Sequence, residues 1–454
     1  MMPLFTPDLL KQQLHDWMTP GCYWVAFSGG ADSTTLLHAM TRISGELGTE
    51  VRAIHINHGI HSHADDWQTH CERHCHELGI TLVQKTVDVE IAARQSPEAQ
   101  ARSARYSAML AAVNDNDMLL TAHHADDQAE TMILNLMRGA GVDGLAAMQP
   151  IRAAGAAWLG RPLLNWRRQQ LRRYLAEENI EFVDDPSNDD RSIRRNFVRH
   201  EILPRLEQMW PASTGQLNKS AAHVRSASMI LKSLASADLG ICQGAYSYEI
   251  NLHRLRGFDL DRQALIIRQW AREHGLHTPD QRQMSELLRQ LANARVENAL
   301  CMEWPGVQVH HYRSSLYIMP ALPEVLEGWQ MEWTGQNSIT LPAASGELSL
   351  QGGNGSPFAE MPLQVHARGG SERLLPVGQA HHKSLKQLFQ AAGIPPWLRS
   401  RIPLLSRNGE CLAVGDIWLD QAFAEQLSES GLGLHWQPGL QQWCDRREHI
   451  LAAE

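Results

Sequence analysis

The chain has 454 residues, with 41 lysines and arginines against 50 aspartates and glutamates, and its formal net charge is −9. At roughly 100–200 residues per domain, this length predicts two to four domains. No apolar run approaches the roughly 18 residues needed to span a bilayer, so a transmembrane protein is excluded. The acidic balance argues, at first sight, against a polyanionic partner.

The N-terminus and the cysteines predict a cytoplasmic location. The first segment, MMPLFTPDLLKQQLHDW, lacks the basic and apolar regions of a secretory signal. The seven cysteines are odd in number and scattered along the chain. This distribution is typical of reduced thiols in the cytosol and not of a disulfide framework.

Strand-like and helix-like patterns alternate in the N-terminal part of the chain. The strand-like segments are Cys22–Ser28, Val51–Asn57, Thr81–Asp88 and Met118–His123; the helix-like segments are Ala31–Glu46, Asp65–Leu78, Glu98–Asn114 and Asp126–Arg138. Strands and helices that alternate over short connections predict parallel β-α-β units. We therefore expect an α/β fold with a doubly wound parallel sheet.

The remainder of the chain has a different character. Residues 216–320 show mostly helical spacing and end in a strand-like segment at 306–319, and the last hundred residues suggest a small α+β module. We predict three domains, at 1–215, 216–330 and 340–454.

The segment Val25–Ser33, VAFSGGADS, leads from a strand directly into a helix. Glycines let the backbone approach an anion closely, and the first N–H groups of a helix have no partner within it. Ionised Asp32 cannot donate to a phosphate, so we expect it to bind Mg²⁺ or to make an orienting contact. The segment lacks the GxxxxGK[ST] pattern of a Walker A loop. It predicts a different phosphate site, formed by Ser28, Gly29, Gly30, Ala31, Asp32 and Ser33.

A second cluster of polar residues occurs in TAHHADDQAET, Thr121–Thr131, where a strand ends and a helix begins. The pattern brings His123, His124, Asp126 and Asp127 to the carboxyl end of a strand, where open α/β sheets bind ligands. Carboxylates there can hold Mg²⁺, with Asp32 and Asp126 as the expected ligands, and a carboxylate or neutral histidine can accept a proton. The alternative is that Asp126 or Asp127 caps the helix.

These motifs together resemble a known family. SGGADS is similar to the pyrophosphate loop of the N-type ATP pyrophosphatases, the PP-loop superfamily. Within it, the chain resembles the tRNA(Ile)-lysidine synthases, and the matching segments are HINHG, EAQARSARY, TAHHADDQAET, RGAG, RPLL, DPSN, RNFVRHEILP and the C-terminal KSLKQLFQAAGIPPWLR. The resemblance covers most of the chain and is most specific in 25–204. One departure is Ile60-His61 after HINHG, where the family often has an arginine.

The resemblance implies an activity. ATP would adenylate the C2 oxygen of the wobble cytidine in the CAU anticodon of isoleucine tRNA, and the ε-amine of free L-lysine would displace AMP to give lysidine. ATP and Mg²⁺ are the implied cofactors. The implied catalytic residues are Asp32, Arg102, Arg105, His124, Asp126 and Asp127, with Arg102 and Arg105 facing the active site, and His123 would join the loop in binding the nucleotide. The oligomeric state and the general base stay open.

Local charge removes the objection to an RNA partner. Residues 366–407 carry seven basic residues and one acid, a local charge of +6, which leaves −15 for the rest of the chain. A polyanion responds to such local patches because salt screens charges beyond about 10 Å at 0.1 M. The alternative is a solvated basic face. The candidate RNA-binding residues are Arg191, Arg194, Arg195, Arg373, Lys383, Lys386, Trp397 and Arg399.

Two other functions are compatible with these motifs. One is a PP-loop tRNA cytidine thiolase or another amide-forming enzyme of that superfamily, although the sequence has no CxxC pair. The other is a non-catalytic RNA-binding protein built on a degenerate nucleotide domain. Intact Asp32, Ser33, Asp126 and Asp127 argue against such a scaffold.

Overall fold

The computed structural model describes residues 4–57, 64–87, 97–184, 189–293, 301–353 and 358–440. The chain divides into two compact units, Met1–Leu231 and Lys232–Glu454. No helix within the described ranges combines the length and the apolar character needed to cross a membrane. The predicted division at 1–215, 216–330 and 340–454 stays a prediction.

A six-stranded sheet forms the centre of the first unit. Its strands are β1 (Cys22–Ala26), β2 (Glu50–Asn57), β3 (Thr81–Thr86), β4 (Met118–Leu120), β5 (Ile151–Ala154) and β6 (Ala157–Gly160). They lie in the order β3-β2-β1-β4-β6-β5. All neighbouring strands are parallel except β5 and β6, which form an antiparallel pair at one edge. The predicted doubly wound α/β fold is confirmed, and the antiparallel edge strand is an addition to it.

Helices precede, connect and follow these strands. They are α1 (Pro7–His15), α2 (Ala31–Leu47), α3 (Ala64–Glu77), α4 (Pro97–Leu110), α5 (Ala125–Met137), α6 (Val142–Leu145), α7 (Arg168–Glu177), α8 (Arg194–Phe197) and α9 (Leu203–Met209), with a π-helical segment at Val198–Ile202. Helix α2 ends at Gly48, whose φ of 65° favours glycine.

Alternation along β1 explains why helices cover both faces of the sheet. Tyr23 and Val25 lie in one apolar core, whereas Cys22 and Trp24 lie in a second one. Successive strand residues point to opposite faces, so a strand of apolar residues needs cover on both sides. Helix α2 contributes Leu36, Leu37 and Met40 to the first core, and α4 contributes Met109 to the second.

Helix α10 (Ser213–Cys242) runs from the first unit into the second. Helices α11 (Leu252–Arg256), α12 (Leu260–Glu273) and α13 (Gln281–Asn293) follow, as do strands β7 (Glu249–Asn251), β8 (Cys301–Trp304), β9 (Val307–Tyr312) and β10 (Ser315–Pro320). These strands form an antiparallel sheet in the order β7-β10-β9-β8. The strand-like segment at 306–319 is thus a hairpin. The two strands not predicted, β7 and β8, are too short to show clear alternation.

The C-terminal part is an α+β module, as predicted. Its strands are β11 (Gln330–Trp333), β12 (Ile339–Leu341), β13 (Gly346–Gly352), β14 (Leu363–His366), β15 (Arg373–Leu374), β16 (Lys383–Ser384), β17 (Leu404–Arg407), β18 (Glu410–Val414), β19 (Trp418–Leu419) and β20 (Leu432–Gln437); its helices are α14 (Leu385–Ala391), α15 (Pro396–Arg399) and α16 (Gln421–Glu429). Phe358, Phe389, Phe423 and Trp436 are fully buried in one core.

Candidate active site

The turn between β1 and α2 forms the predicted phosphate loop. Gly29 has a φ of +79°, which an L side chain rarely adopts. A Cβ at Gly29 would also lie 3.3 Å from Cys71 Sγ and 3.3 Å from His70 Cδ2, so helix α3 packs directly against this glycine. The Val183 N–H donates to Gly29 O over 2.9 Å and holds the turn from the other side.

The N-terminus of α2 offers donors to an anion. Gly30 is the N-cap and supplies no side-chain cap, so the first N–H groups of this 17-residue helix lack that partner. The Ser28 and Ser33 hydroxyls lie 3.1 Å apart, and Ser33 Oγ donates to Gly30 O over 3.0 Å. The helix dipole adds partial positive charge at this end. The arrangement suits a phosphate group.

A cavity of about 350 Å³ opens beside this loop, at the carboxyl ends of β1, β2 and β4. The predicted nucleotide-binding residues that line it are Ser28, Gly30, Ala31, Asp32, Ser33 and His123. Arg105, predicted to face the active site, lines it as well. Gly29 contributes the shape of the turn. The Arg102 side chain and Ile60-His61 lie outside the described residues.

His124 connects the loop to helix α5. Its Nε2 lies 3.5 Å from Asp32 Oδ2 and 3.5 Å from Asp127 Oδ2, and its Nδ1 lies 3.6 Å from Asp126 Oδ2. Burial opposes the charge on the ring, but Asp127, Asp32 and Asp126 outweigh it and raise the pKa of His124 to about 9. His124 is also the N-cap of α5, because the neutral ring accepts the Asp127 N–H at Nδ1 over 3.3 Å. The imidazolium loses that bond and pairs with the carboxylates instead.

Two arginines hold the acids on the inner face of α5. Arg195 donates to Asp127 Oδ1 and Glu130 Oε2, each over 2.8 Å. Arg199 donates to Glu130 Oε1 over 2.6 Å and to Asp127 Oδ1 over 3.1 Å. Burial works against the charge of Asp127, but His124 and the two arginines lower the pKa of this carboxyl. Glu130 is fully buried, so this four-residue cluster is an internal ion-pair network.

The two predicted magnesium ligands, Asp32 and Asp126, differ in the hydrogen bonds that they already accept. Asp32 Oδ1 is buried and has no hydrogen-bond partner among the described residues, which leaves it open to a cation. Asp126 accepts from Arg167 Nε over 2.9 Å and from the Arg168 N–H over 2.8 Å. Within the described ranges, no group of three or more ligand side chains forms a complete metal site. Mg²⁺ is commonly held by one or two carboxylates together with substrate phosphates, so Asp32 fits this ion best.

The predicted RNA-binding residues fall in different surroundings. In the first unit, Arg194 is exposed, Arg191 pairs with Glu201 over 2.6 Å, and Arg195 belongs to the ion-pair network.

In the second unit, Arg373 and Lys386 are exposed and Lys383 is half-buried. The Trp397 ring stacks on His310, with centroids 4.3 Å apart. Arg399 donates to Ile394 O over 2.7 Å and to the Tyr312 hydroxyl over 3.2 Å.

Sequence reasoning missed two arginines that line the cavity, Arg168 and Arg199. Arg199 lies in RNFVRHEILP, one of the family segments, and the motif itself was the available signal. Arg168 lies in RRQQL, shortly after RPLL. This segment has the spacing of an amphipathic helix, and that pattern does not indicate a binding residue.

Comparison with known proteins identifies the family. Family models match at residues 7–206 (PP-loop domain), 251–317 (TilS substrate binding domain) and 363–436 (TilS substrate C-terminal domain). The tRNA(Ile)-lysidine synthase of Xanthomonas campestris pv. campestris is 38% identical over 423 residues, covering 92% of this chain and 95% of that one. The tRNA(Ile)-lysidine synthase of Methylococcus capsulatus is 36% identical over 438 residues, covering 95% of this chain and 99% of that one. The chain belongs to the tRNA(Ile)-lysidine synthase family.

Membership of this family makes the chain an ATP-using ligase that modifies tRNA. Among solved structures, a U34-tRNA thiolase from Methanococcus maripaludis is 16% identical, with a TM-score of 0.41, and covers 48% of this chain and 76% of that chain. The thiolase alternative is not favoured, because the relatives that match at 36–38% identity are lysidine synthases.

Proposed function

We propose that this chain ligates free L-lysine to C2 of the wobble cytidine in the CAU anticodon of isoleucine tRNA and releases AMP. The observation that carries the proposal is the N-terminus of α2, where uncapped N–H groups and the open Asp32 carboxylate meet in one cavity with His123 and Arg105. Family membership supports the substrate and the reaction. The scattered free cysteines support a cytoplasmic location.

The reaction has two steps. In the first, the C2 oxygen of cytidine attacks the α-phosphorus of ATP, an O–P bond forms, and the bond to the β-phosphate breaks so that pyrophosphate leaves. In the second, the unprotonated ε-amine of lysine attacks C2, the C2–O bond breaks, and AMP leaves with the bonding electrons. The amine gives up its proton to a base at the site.

The residues of the chain divide this work. The N–H groups of α2 and the hydroxyls of Ser28 and Ser33 hold phosphate oxygens. Mg²⁺ bound by Asp32, with Asp126 as a further candidate, would neutralise charge that develops on the phosphates. Arg105 lies where it can stabilise the anionic intermediate, and the implied role of Arg102 is the same. The exposed basic residues of the second unit hold the tRNA by its phosphates.

The direct test is incubation of the full chain with ATP, Mg²⁺, labelled lysine and isoleucine tRNA bearing the CAU anticodon. We expect lysine incorporation, AMP and pyrophosphate in equal amounts, and none of the three when tRNA is omitted. AMP release without lysine incorporation would contradict the proposal, as would transfer of sulfur to the tRNA.

Asp32→Asn separates chemistry from RNA binding in the same assay. The variant should lose about 10²–10³-fold in turnover, because it can no longer place a charge beside the phosphates. The dissociation constant for tRNA should stay unchanged. Loss of tRNA binding in this variant would show that the loop is not confined to nucleotide chemistry.

A further inference from the structure

Trp397, in helix α15, packs against two apolar clusters of the second unit. One is the core of the C-terminal module, which contains Phe389. The other is a small cluster at the β9–β10 hairpin, which contains Tyr317 and Met319. On the hairpin side, the indole stacks on His310 with centroids 4.3 Å apart and meets the Tyr317 ring in a T-shaped contact at 5.4 Å. A single side chain therefore joins the module to the hairpin.

Two arginines bind across the same contact in opposite directions. Arg399 of the module donates to the Tyr312 hydroxyl over 3.2 Å and to Ile394 O of its own module over 2.7 Å. Arg313, in the turn between β9 and β10, donates to Gln390 O over 2.6 Å. Because one bond runs from the module to the hairpin and the other from the hairpin to the module, the pair fixes the angle between them as well as the distance.

The covalent connection between the hairpin and the module is held as well. After β10 ends at Pro320, the chain has no helix or strand until Gln330, and domains joined by such a segment move unless contacts hold them. Arg401 of the module is buried and donates to Pro323 O in this connection and to Ala343 O over 2.8 Å. The module is therefore fixed on the hairpin at two places.

This contact matters for a large ligand. It joins the two regions that match TilS substrate-domain models, 251–317 and 363–436. The exposed Arg373 and Lys386, which we propose to hold tRNA phosphates, lie on the module. A surface whose parts are already oriented loses less conformational freedom on binding than one whose parts move, and it binds more tightly for that reason.

We propose that Trp397 is a positioning residue for tRNA, which fixes the C-terminal module on the β9–β10 hairpin so that both regions meet the tRNA as one preorganised surface. This inference rests on the proposed function, since it says how the tRNA-binding part of the same enzyme is held. Trp397 acts through His310 and needs no contact with a base, and Arg399 supports the same contact through Tyr312.

A double-mutant cycle on the full chain tests this role with isoleucine tRNA bearing the CAU anticodon. Trp397→Ala and His310→Ala should each raise the KM and the Kd for tRNA by about three- to tenfold, the effect of losing one stacked pair. The kcat and the KM for ATP should change by less than about twofold. The double variant should match the larger single effect, because both changes remove the same contact. His310→Tyr keeps a ring for the indole and should restore tRNA binding.

Trp329→Ala is the matched control, because Trp329 is also half-buried and packs against the module core but not against the hairpin cluster. It should leave the Kd for tRNA unchanged, and an equal rise there would overturn the inference by assigning the effect to module stability. Hydrogen exchange of β14 and β17 should be the same in His310→Ala as in the unmodified protein.

An unchanged Kd in His310→Ala beside a raised Kd in Trp397→Ala would overturn the inference, because it would assign the indole to the RNA itself. Single effects that multiply in the double variant would overturn it as well. If the unmodified protein binds the tRNA but transfers no lysine, the proposed function fails, whereas the Kd values of the cycle still decide the role of Trp397.

Discussion

Positive charge is used in two ways in this chain. Beside helix α5, the guanidinium groups of Arg195 and Arg199 are bound to Asp127 and Glu130, and the Glu130 side chain has no exposed surface. In the second unit, Lys383 and Lys386 form no ion pair with any described residue, and Arg373 donates to the His382 carbonyl. An arginine held by acids fixes geometry, whereas an unpaired lysine at the surface is available to a phosphate.

The ion-pair network beside α5 can be disrupted at Glu130, its most buried member. Glu130→Ala leaves Arg195 and Arg199 with only Asp127 between them, and we expect it to lower the free energy of unfolding by about 3–5 kcal/mol. The change in the free energy of unfolding is measured by urea denaturation of the full chain, with hydrogen exchange of peptides from α5 as the probe.

Glu177→Ala is the control, because it breaks the exposed Arg173–Glu177 pair and should cost no more than about 0.5 kcal/mol. If the two variants lost similar amounts of stability, the contrast between buried and exposed pairs would not hold.

The sequence predicts some of these features well and others not at all. The phosphate loop was predictable because its signal is local: a strand, two glycines and a helix start lie within a few residues. The ion-pair network joins residues that are far apart in the sequence, since Arg195 and Glu130 are separated by 65 positions. Hydrophobic periodicity does not predict a pair of this kind.

The aromatic contacts of the second unit also join residues that are distant in the sequence, and they too could not be predicted from it. Trp397 and Arg399 were predicted to bind RNA because aromatic and basic residues are adjacent there. The structure brings Arg399 to Tyr312, 87 positions away, and stacks Trp397 on His310. Their engagement with β9 could not be anticipated from neighbouring residues, and their role toward RNA stays a prediction.

The Trp397–His310 stack has its own pH dependence. Burial lowers the pKa of His310 to about 4, although Glu303 acts in the opposite direction. The ordinary pKa of a histidine is near 6.5, so between these values the unfolded chain binds the proton and the folded one does not. Stability at this site should therefore be complete above about pH 6.5 and fall by up to about 3 kcal/mol as the pH drops to 4.

Hydrogen-exchange protection of β9 and β10, corrected for intrinsic rates, measures this loss. His310→Gln should flatten the profile, and His253→Gln, at an exposed histidine, should leave it unchanged. A profile that does not respond to His310→Gln would assign the pH dependence to another group.

Half-buried Lys383 and exposed Lys386 allow the smallest and most selective test. Lys383→Ala combined with Lys386→Ala should raise the apparent KM for tRNA by about tenfold, because each lysine lost removes a phosphate contact. The KM for ATP should not move, since the loop and its cavity belong to the first unit. The slope of log Kd against log salt concentration should also fall by about two, one for each contact.

Lys219→Ala combined with Lys232→Ala removes the same charge from helix α10 and serves as the control. If that control weakened tRNA binding equally, the effect would reflect net charge alone. The prediction that Lys383 and Lys386 contact tRNA phosphates would then be wrong.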